Sequence, residues 1–447
     1  MLETFRKFFP DSHPVRLFFH KIKGFLAAVL YWYPAEKMIV IGVTGTNGKT
    51  TTTNLIANIL SGAGHKIGMA STINFQVGDE RWTNVTKQTT ASPFFLQKLL
   101  RRMVNEGCKY LVLEVSSHAM IQSRVYGINF DVAVVTNLTP EHIDYHGDFE
   151  SYREAKGRLF RAVASGVRKT GVQKVTVMNA DDKEYNYFNQ FVADRKMTYG
   201  FKGATIFADQ IEKKPEGSRF ILNVPNDKVE VNLSLPGEFN VYNSLAAATA
   251  CLSLNISLVD IKKGLEASSS IPGRFEHVDV GQPFSVIVDY AHTADALENL
   301  FRLYRSLTPG RLFAVFGATG GGRDKGKRPK MGAAVNEFAD FIIVTDDDPY
   351  DEGEWDIIEQ VSEGIPRKEG QGFWKIADRF EAIRLALTLA REGDSVVIAG
   401  KGAEEIMMLD GKKIPWNDKK IVTDLLKRNV QVSLDTEESE FVKKIAS

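Results

Sequence analysis

Cysteine is nearly absent. The two in 447 residues, Cys108 and Cys251, stand too far apart for metal-ligand spacing and fit a reducing compartment with free thiols. An excess of one charge is also missing, because 56 lysines and arginines meet 56 aspartates and glutamates. That balance gives no electrostatic reason to expect nucleic acid or an acidic partner. No stretch reaches the roughly 18 uninterrupted apolar residues of a membrane span, and the first apolar stretch lacks the small-residue cleavage site of a secretory leader. Internal repeats and low-complexity tracts are wanting too. Together these absences predict a globular, cytoplasmic chain with no nucleic-acid partner.

What is present suits a large core. With 43% hydrophobic and 25% charged positions over this length, two or three domains are expected. Residues 16–33 (RLFFHKIKGFLAAVLYWY) read as a helix that is basic at its start and aromatic at its end. Two readings compete: a helix docked on the next domain, or a membrane-surface helix preceded by Arg16, His20, Lys21 and Lys23. Docking is preferred because packed amphipathic helices are so common.

From Met38 the pattern changes. MIVIGV, KYLVLEV, DVAVVTNL and KVTVMN read as buried strands alternating with helical periods, which predicts a parallel α/β sheet. A polar, strand-rich insertion (198–235) and a helical stretch (243–254) follow. Beyond Pro272-Gly273, FSVIVDY, RLFAVFG, DFIIVTD and DSVVIAG form a second series. The expected organisation is an N-terminal helical segment (1–37), a central α/β domain with a P-loop-type parallel sheet (38–273), a Rossmann-like α/β domain (274–435) and a charged tail (436–447).

MIVIGVTGTNGKTTT is a strand, a glycine-rich turn and a helix start. Unpaired N–H groups and the positive dipole end make such a helix start favourable for an anion. Gly45 and Gly48 let the backbone approach phosphate oxygens, and Thr46, Asn47 and Thr51 complete the loop around them. Lys49 would reach the outer phosphates and Thr50 would face magnesium. Val43 stands where the strict pattern has glycine, so this is a variant phosphate loop. An ordinary tight strand-to-helix turn would not need all these features together.

The following segments narrow the reading. TGTNGKTTT, LEVSSHAMIQSRV, TNLTPEHIDYHG and YREAKGRLF resemble the central domain of the Mur ligases. LPGEFNVYNSLAAATA, IPGRFE, VDYAHTADAL, GATGGGRDKGKRPKMG, TDDDPYDE and IAGKGAEE continue the resemblance from about Ile39 to Leu426. It is nearest to the members that add the third residue of the muramyl peptide. The resemblance implies an ATP-dependent carboxylate–amine ligase of peptidoglycan synthesis, acting on a UDP-muramyl-dipeptide and a free diamino acid through an acyl phosphate. It is expected to work as a monomer.

The resemblance also assigns residues. Thr50 and Glu114 would hold one magnesium, and His142 a second together with a carbamate on Lys156. Asn240 and Asn243 would contact adenine, and Arg274 the phosphates. Thr89, Thr90, Ser116, Gln122 and Arg124 would contact the muramyl peptide. Arg323, Asp347, Asp348, Tyr350, Gly400 and Glu404 would receive the amino acid. Taken singly, each substrate residue is as readily structural as functional, and Lys156 would pass for a solvated helix lysine. His118 and His146 are expected to be structural hydrogen-bonders.

Three departures from the family pattern stand out. Asp347-Asp348-Pro349-Tyr350 replaces Asp-Asn-Pro-Arg, losing the arginine that would pair with a distal carboxylate. That makes lysine or a similar diamine plausible, with Asp348 attracting the distal ammonium. Ala403 replaces a histidine. Only about forty residues precede the phosphate loop, where the family carries a uridine-binding domain. Folylpolyglutamate synthetase chemistry, another carrier, and a non-catalytic ATP-binding regulator remain as alternatives. EVSSH, Gln122, Arg124 and DYHGD speak against the first, and the full set of metal and phosphate residues against the last.

Overall fold

A computed structural model describes residues 13–86, 88–214, 217–268, 271–322, 324–409 and 411–427. Arg323 and the expected tail at 436–447 lie outside the described residues. The chain divides into two compact units, Met1–Ser269 and Ser270–Ser447.

The first unit is built on one eleven-stranded sheet. Its strands are β1 (Ile39–Thr44), β2 (Ile67–Ala70), β3 (Asn74–Val77), β4 (Glu80–Thr83), β5 (Tyr110–Glu114) and β6 (Val132–Val135). They continue with β7 (Val175–Asn179), β8 (Arg195–Gly200), β9 (Ile206–Lys214), β10 (Gly217–Val224) and β11 (Asp227–Leu233). The order is β11-β10-β9-β8-β7-β6-β1-β5-β2-β3-β4. Pairing is parallel from β9 through β2 and antiparallel at both ends. The central strands are buried almost throughout and mostly apolar because helices cover both faces, which leaves no solvated side to alternate with. β1 lies between β5 and β6, so the loops following all three strands emerge side by side at one sheet edge. Open parallel sheets bind ligands at that edge.

The polar insertion extends this sheet as β9–β11. The 67–83 meander, which the sequence reading did not mark as strands, extends the opposite end. Helix Glu238–Ser253 starts five residues before the expected 243, directly after its cap Gly237, whose φ of 93° few other residues adopt readily.

Helix Pro14–Leu30 packs through a face of small residues, Gly24, Ala27 and Ala28. A Cβ on Gly24 would stand 2.6 Å from the Ser123 carbonyl oxygen. The helix is therefore docked as expected, although its large side chains are on the other face.

The second unit carries β12 (Glu276–His277), β13 (Ser285–Asp289), β14 (Leu312–Phe316), β15 (Phe341–Val344), β16 (Phe373–Lys375) and β17 (Ser395–Ala399). They are ordered β12-β13-β17-β14-β15-β16 and are parallel except for β12. Separate apolar clusters cover its two faces, giving the expected doubly wound α/β layering. A hairpin, β18 (Ile406–Leu409) with β19 (Lys412–Pro415), follows the last strand.

Candidate active site

The phosphate loop crosses from β1 into helix Lys49–Gly62. Gly45 and Gly48 have φ of 143° and 80°, in a region unfavourable to side chains. A Cβ at Gly45 would fall 1.8 Å from Thr136 Oγ1, and one at Gly48 2.1 Å from Asn243 Oδ1. Both glycines are thus required by neighbours as well as by backbone conformation. Asn137 Oδ1 accepts from the Asn47 amide at 2.9 Å, and Lys49 Nζ donates to the Thr46 carbonyl at 2.7 Å.

Glu114, at the end of β5, is 1% exposed. Both its carboxylate oxygens lie 3.1 Å from Thr50 Oγ1, and Thr72 donates to them from its amide at 2.7 Å and its hydroxyl at 2.8 Å. A buried carboxylate beside a helix-start hydroxyl is an oxygen donor set suited to a hard divalent cation. Thr72 was not singled out in the sequence, since it sits in a hairpin without a motif.

Lys156 comes from helix Phe149–Ser165, whose start is capped by Asp148. It is 2% exposed and donates to the Gly45 carbonyl at 2.6 Å. Burial first, and the Lys49 charge second, push its amine well below the ordinary lysine range. The expectation of a solvated lysine, which the sequence alone would give, does not hold here. Tyr152, one turn earlier, joins several parts of the site. Its hydroxyl is 3.1 Å from Thr46 Oγ1, and its ring lies 4.6 Å from the Lys156 ammonium and 6.2 Å from the His142 ring. His142 has φ of 56° and starts the short helix Ile143–His146. The His118 ring lies 4.9 Å from it. His146 Nε2 is 3.0 Å from Ser117 Oγ, and burial, then Lys156 and Arg158, push its pKa down to about 4.

Of the residues expected to contact the muramyl peptide, Thr90, Ser116, Gln122 and Arg124 form one connected group. Thr90 Oγ1 donates to the Glu114 carbonyl at 2.9 Å and accepts from the Ser116 amide. Arg124 donates to the Thr90 carbonyl at 2.8 Å and to Gln122 Oε1 at 2.7 Å. Thr89 is half-buried beside Thr90. Thr51 is buried in the helix start. Asn243 meets Gly48, and Asn240, 1% exposed, donates to the Pro236 carbonyl and accepts from Asn243. The two asparagines thus buttress the phosphate loop.

The second unit assembles its own group. Gly400, at the end of β17, has φ of 113°, and a Cβ there would stand 2.8 Å from Asp347 Oδ2. Lys401 is fully buried and donates at 2.7 Å to both Asp348 Oδ1 and Glu404 Oε2. The Met408 amide donates to the same Asp348 oxygen, also at 2.7 Å. Asp348 therefore anchors Lys401 and the hairpin, which corrects the expectation of a carboxylate waiting for a distal ammonium. Asp348 and Tyr350 both hold positive φ, 51° and 59°, a strained pairing of the kind found at functional loops. Burial, only partly offset by Lys401 and Arg379, raises Asp347 to about 6. Arg274 lies 4.6 Å over the Tyr290 ring. Around the basic loop, Glu352 accepts from Gly322 and pairs with Lys325 at 3.2 Å and Arg328 at 3.1 Å. Burial opposes its charge, yet Arg328, Gly322 and Lys325 bring its carboxyl down to about 2. Lys401, Tyr152 and Thr72 escaped the sequence reading because burial and partners define them, and neither is visible in a linear motif.

Residues 43–251 match the family described as Mur ligase middle domain, and residues 273–402 that described as Mur ligase, glutamate ligase domain. The chain is similar to a UDP-N-acetylmuramoyl-L-alanyl-D-glutamate–2,6-diaminopimelate ligase of Geobacillus thermodenitrificans. That relative is 42% identical over 94% of this chain and 83% of its own. A UDP-N-acetylmuramyl-tripeptide synthetase of Roseiflexus sp. is 39% identical over 88% of this chain and 79% of its own. Among solved structures, a UDP-N-acetylmuramoyl-L-alanyl-D-glutamate–2,6-diaminopimelate ligase is 31% identical at a TM-score of 0.60, with 88% and 78% of the two chains covered. Folylpolyglutamate synthase of Mycobacterium tuberculosis, 16% identical at a TM-score of 0.69 over 91% and 93%, shares the fold.

Proposed function

Because the chain belongs to the Mur ligase family of ATP-dependent ligases, we propose that it adds the third amino acid, a diamino acid, to UDP-N-acetylmuramoyl-L-alanyl-D-glutamate. The observation that carries this reading is the Thr50–Glu114 pair behind the phosphate loop, with buried Lys156 held 2.6 Å from the Gly45 carbonyl of that loop.

The reaction runs in two steps. A carboxylate oxygen of the dipeptide attacks the γ-phosphorus of ATP, ADP leaves, and an acyl phosphate forms. The amine of the incoming amino acid then attacks the acyl carbon; phosphate leaves with the bonding electrons and the amine gives up a proton. Lys49 and the backbone N–H groups of 45–50 would neutralise charge on the transferred phosphoryl group. Thr50 and Glu114 would hold one magnesium, and His142 and a carbamate on Lys156 a second. Bound there, magnesium supplies charge neutralisation at the phosphate oxygens. The lowered pKa of Lys156 favours the carbamate, since only the neutral amine adds CO2. Thr89, Thr90, Ser116, Gln122 and Arg124 would orient the muramyl peptide, with Asn240, Asn243 and Arg274 on the nucleotide. Gly400, Glu404, Asp347 and Tyr350, together with Arg323, would receive the amino acid.

Tyr350 cannot offer the two parallel N–H donors with which a guanidinium holds a distal carboxylate. Without that guanidinium, lysine or a similar diamine can serve as acceptor in place of the 2,6-diaminopimelate for which the relatives are named. Phosphate release with ATP, magnesium and UDP-N-acetylmuramoyl-L-alanyl-D-glutamate, offering each amino acid in parallel, tests both points. Turnover with lysine is expected, and Tyr350→Arg should shift the preference toward meso-diaminopimelate by roughly tenfold. Turnover with neither, from protein that binds ATP, would point to another carrier.

A further inference from the structure

Helix Pro14–Leu30 holds no acidic residue, while Arg16, His20, Lys21 and Lys23 are basic. At the α-helical spacing of about 100° per residue, Phe25, Phe18, Ile22, Leu26, Phe19 and Leu30, with two valines between them, occupy one arc of about 140° that contains no other residue type. All eight side chains are 36–63% exposed. Lys21 falls at one margin of the arc, and Lys23 and Arg16 at the other.

The opposite face fixes this orientation. Gly24 approaches Ser123 and Tyr126 too closely for any side chain, and Ala28 Cβ lies 2.7 Å from where a Cβ on Gly127 would stand. Arg101 donates to the Tyr31 and Trp32 carbonyls and pins the helix end. The chain then turns through Trp32 and Tyr33 with φ of 56° and 46°, leaving the Trp32 side chain 82% exposed.

We propose that this helix is a docking surface for an anionic lipid bilayer, lying in the membrane plane with its apolar arc in the headgroup–acyl boundary. Charge complementarity favours a bilayer, because a sheet of phosphates meets the cations at both margins at once. A protein groove would match these cations only with acidic residues along both of its rims. An exposed tryptophan at the helix end suits the polar–apolar boundary. The helix lies on the membrane and does not cross it: 17 residues span about 25 Å, short of a hydrocarbon core of about 30 Å. No helix among the described residues is long and apolar enough to cross.

The inference does not depend on the ligase reading. Its test is co-sedimentation of the full chain with vesicles of mixed phosphatidylglycerol and phosphatidylcholine, and with phosphatidylcholine alone. Binding to the anionic vesicles is expected, about tenfold or more above the neutral ones and weakened by salt. Trp32 emission should shift to shorter wavelength on binding, and Trp32→Phe should remove the shift. The triple variant Phe18→Ser, Phe25→Ser, Leu26→Ser should abolish binding. Lys21→Glu with Lys23→Glu should weaken it about tenfold, at an unchanged thermal midpoint. Should the triple variant lose its fold, the charge variant and the Trp32 signal decide the matter. Wild-type protein left in the supernatant with anionic vesicles would overturn the proposal. So would a dimer, seen by light scattering, that Phe25→Ser splits and that ignores vesicles, since it would assign the face to a second copy of the chain.

Discussion

Lys156 shows how far a residue's chemistry depends on its surroundings. On a surface helix it would be a cation; buried beside Gly45 and near Lys49, its amine is driven toward neutrality. Lys156→Ala is expected to lower ATP-dependent ligation by about a hundredfold or more, and stripping bicarbonate from the buffer should slow wild type but leave the variant unaffected. Equal response of the two to bicarbonate would remove the carbamate from the mechanism. Asp346 offers a pH-dependent stability test. Burial, then the Glu354 charge, raises its carboxyl to about 7, above its unfolded value of about 4. Between those values the folded chain keeps a proton that the unfolded chain has released, so the contribution to stability is full below about pH 4 and is lost as pH rises through about 7. Asp346→Asn should flatten that slope and stabilise the protein by roughly 1–3 kcal/mol at pH 8, read from urea midpoints across the range. The glycines, Lys49 and Thr50 of the phosphate loop were legible because their backbone demands and spacing are local. Thr72, Tyr152 and Lys401 were not, because their roles come from partners many residues away.

At the level of elements, strands β1, β5, β6 and β7 and their counterparts β13, β14, β15 and β17 were readable as apolar runs, since burial on both faces removes any polar alternation. β3 was missed for the opposite reason. Its Asn74 and Gln76 are polar yet buried, satisfied by Asn54 and by the Gly78 carbonyl, so the segment carries no continuous apolar run. The N-terminal helix read as docked or membrane-facing; its small-residue face is docked and its large apolar side chains are exposed. Gly24→Leu should disrupt its seating on Ser123 and Tyr126 at a cost of about 1–3 kcal/mol, measured by denaturant midpoint, because the backbone contact leaves no room to repack. A midpoint unchanged within about 0.5 kcal/mol would mean the helix contributes little to the stability of the unit.

At the level of the whole molecule, each unit supplies a distinct group: the phosphate loop with the Thr50–Glu114 pair in the first, the Asp348–Lys401–Glu404 cluster in the second. A non-hydrolysable ATP analogue at a hundred times its Kd should stabilise the chain by about 2.7 kcal/mol, and Lys49→Ala should abolish most of that gain in a thermal-shift measurement. An equal shift in the variant would place the nucleotide elsewhere. The sequence by itself determined the family, the α/β class and the phosphate loop, because these rest on short-range backbone requirements and motifs in fixed order. Only the tertiary structure decided that Lys156 is buried, that Asp348 is held by Lys401, and that the large apolar side chains of helix Pro14–Leu30 face outward. Each of those depends on which distant surfaces meet, and the meeting sets the dielectric, the partners and the exposure that give a side chain its chemistry.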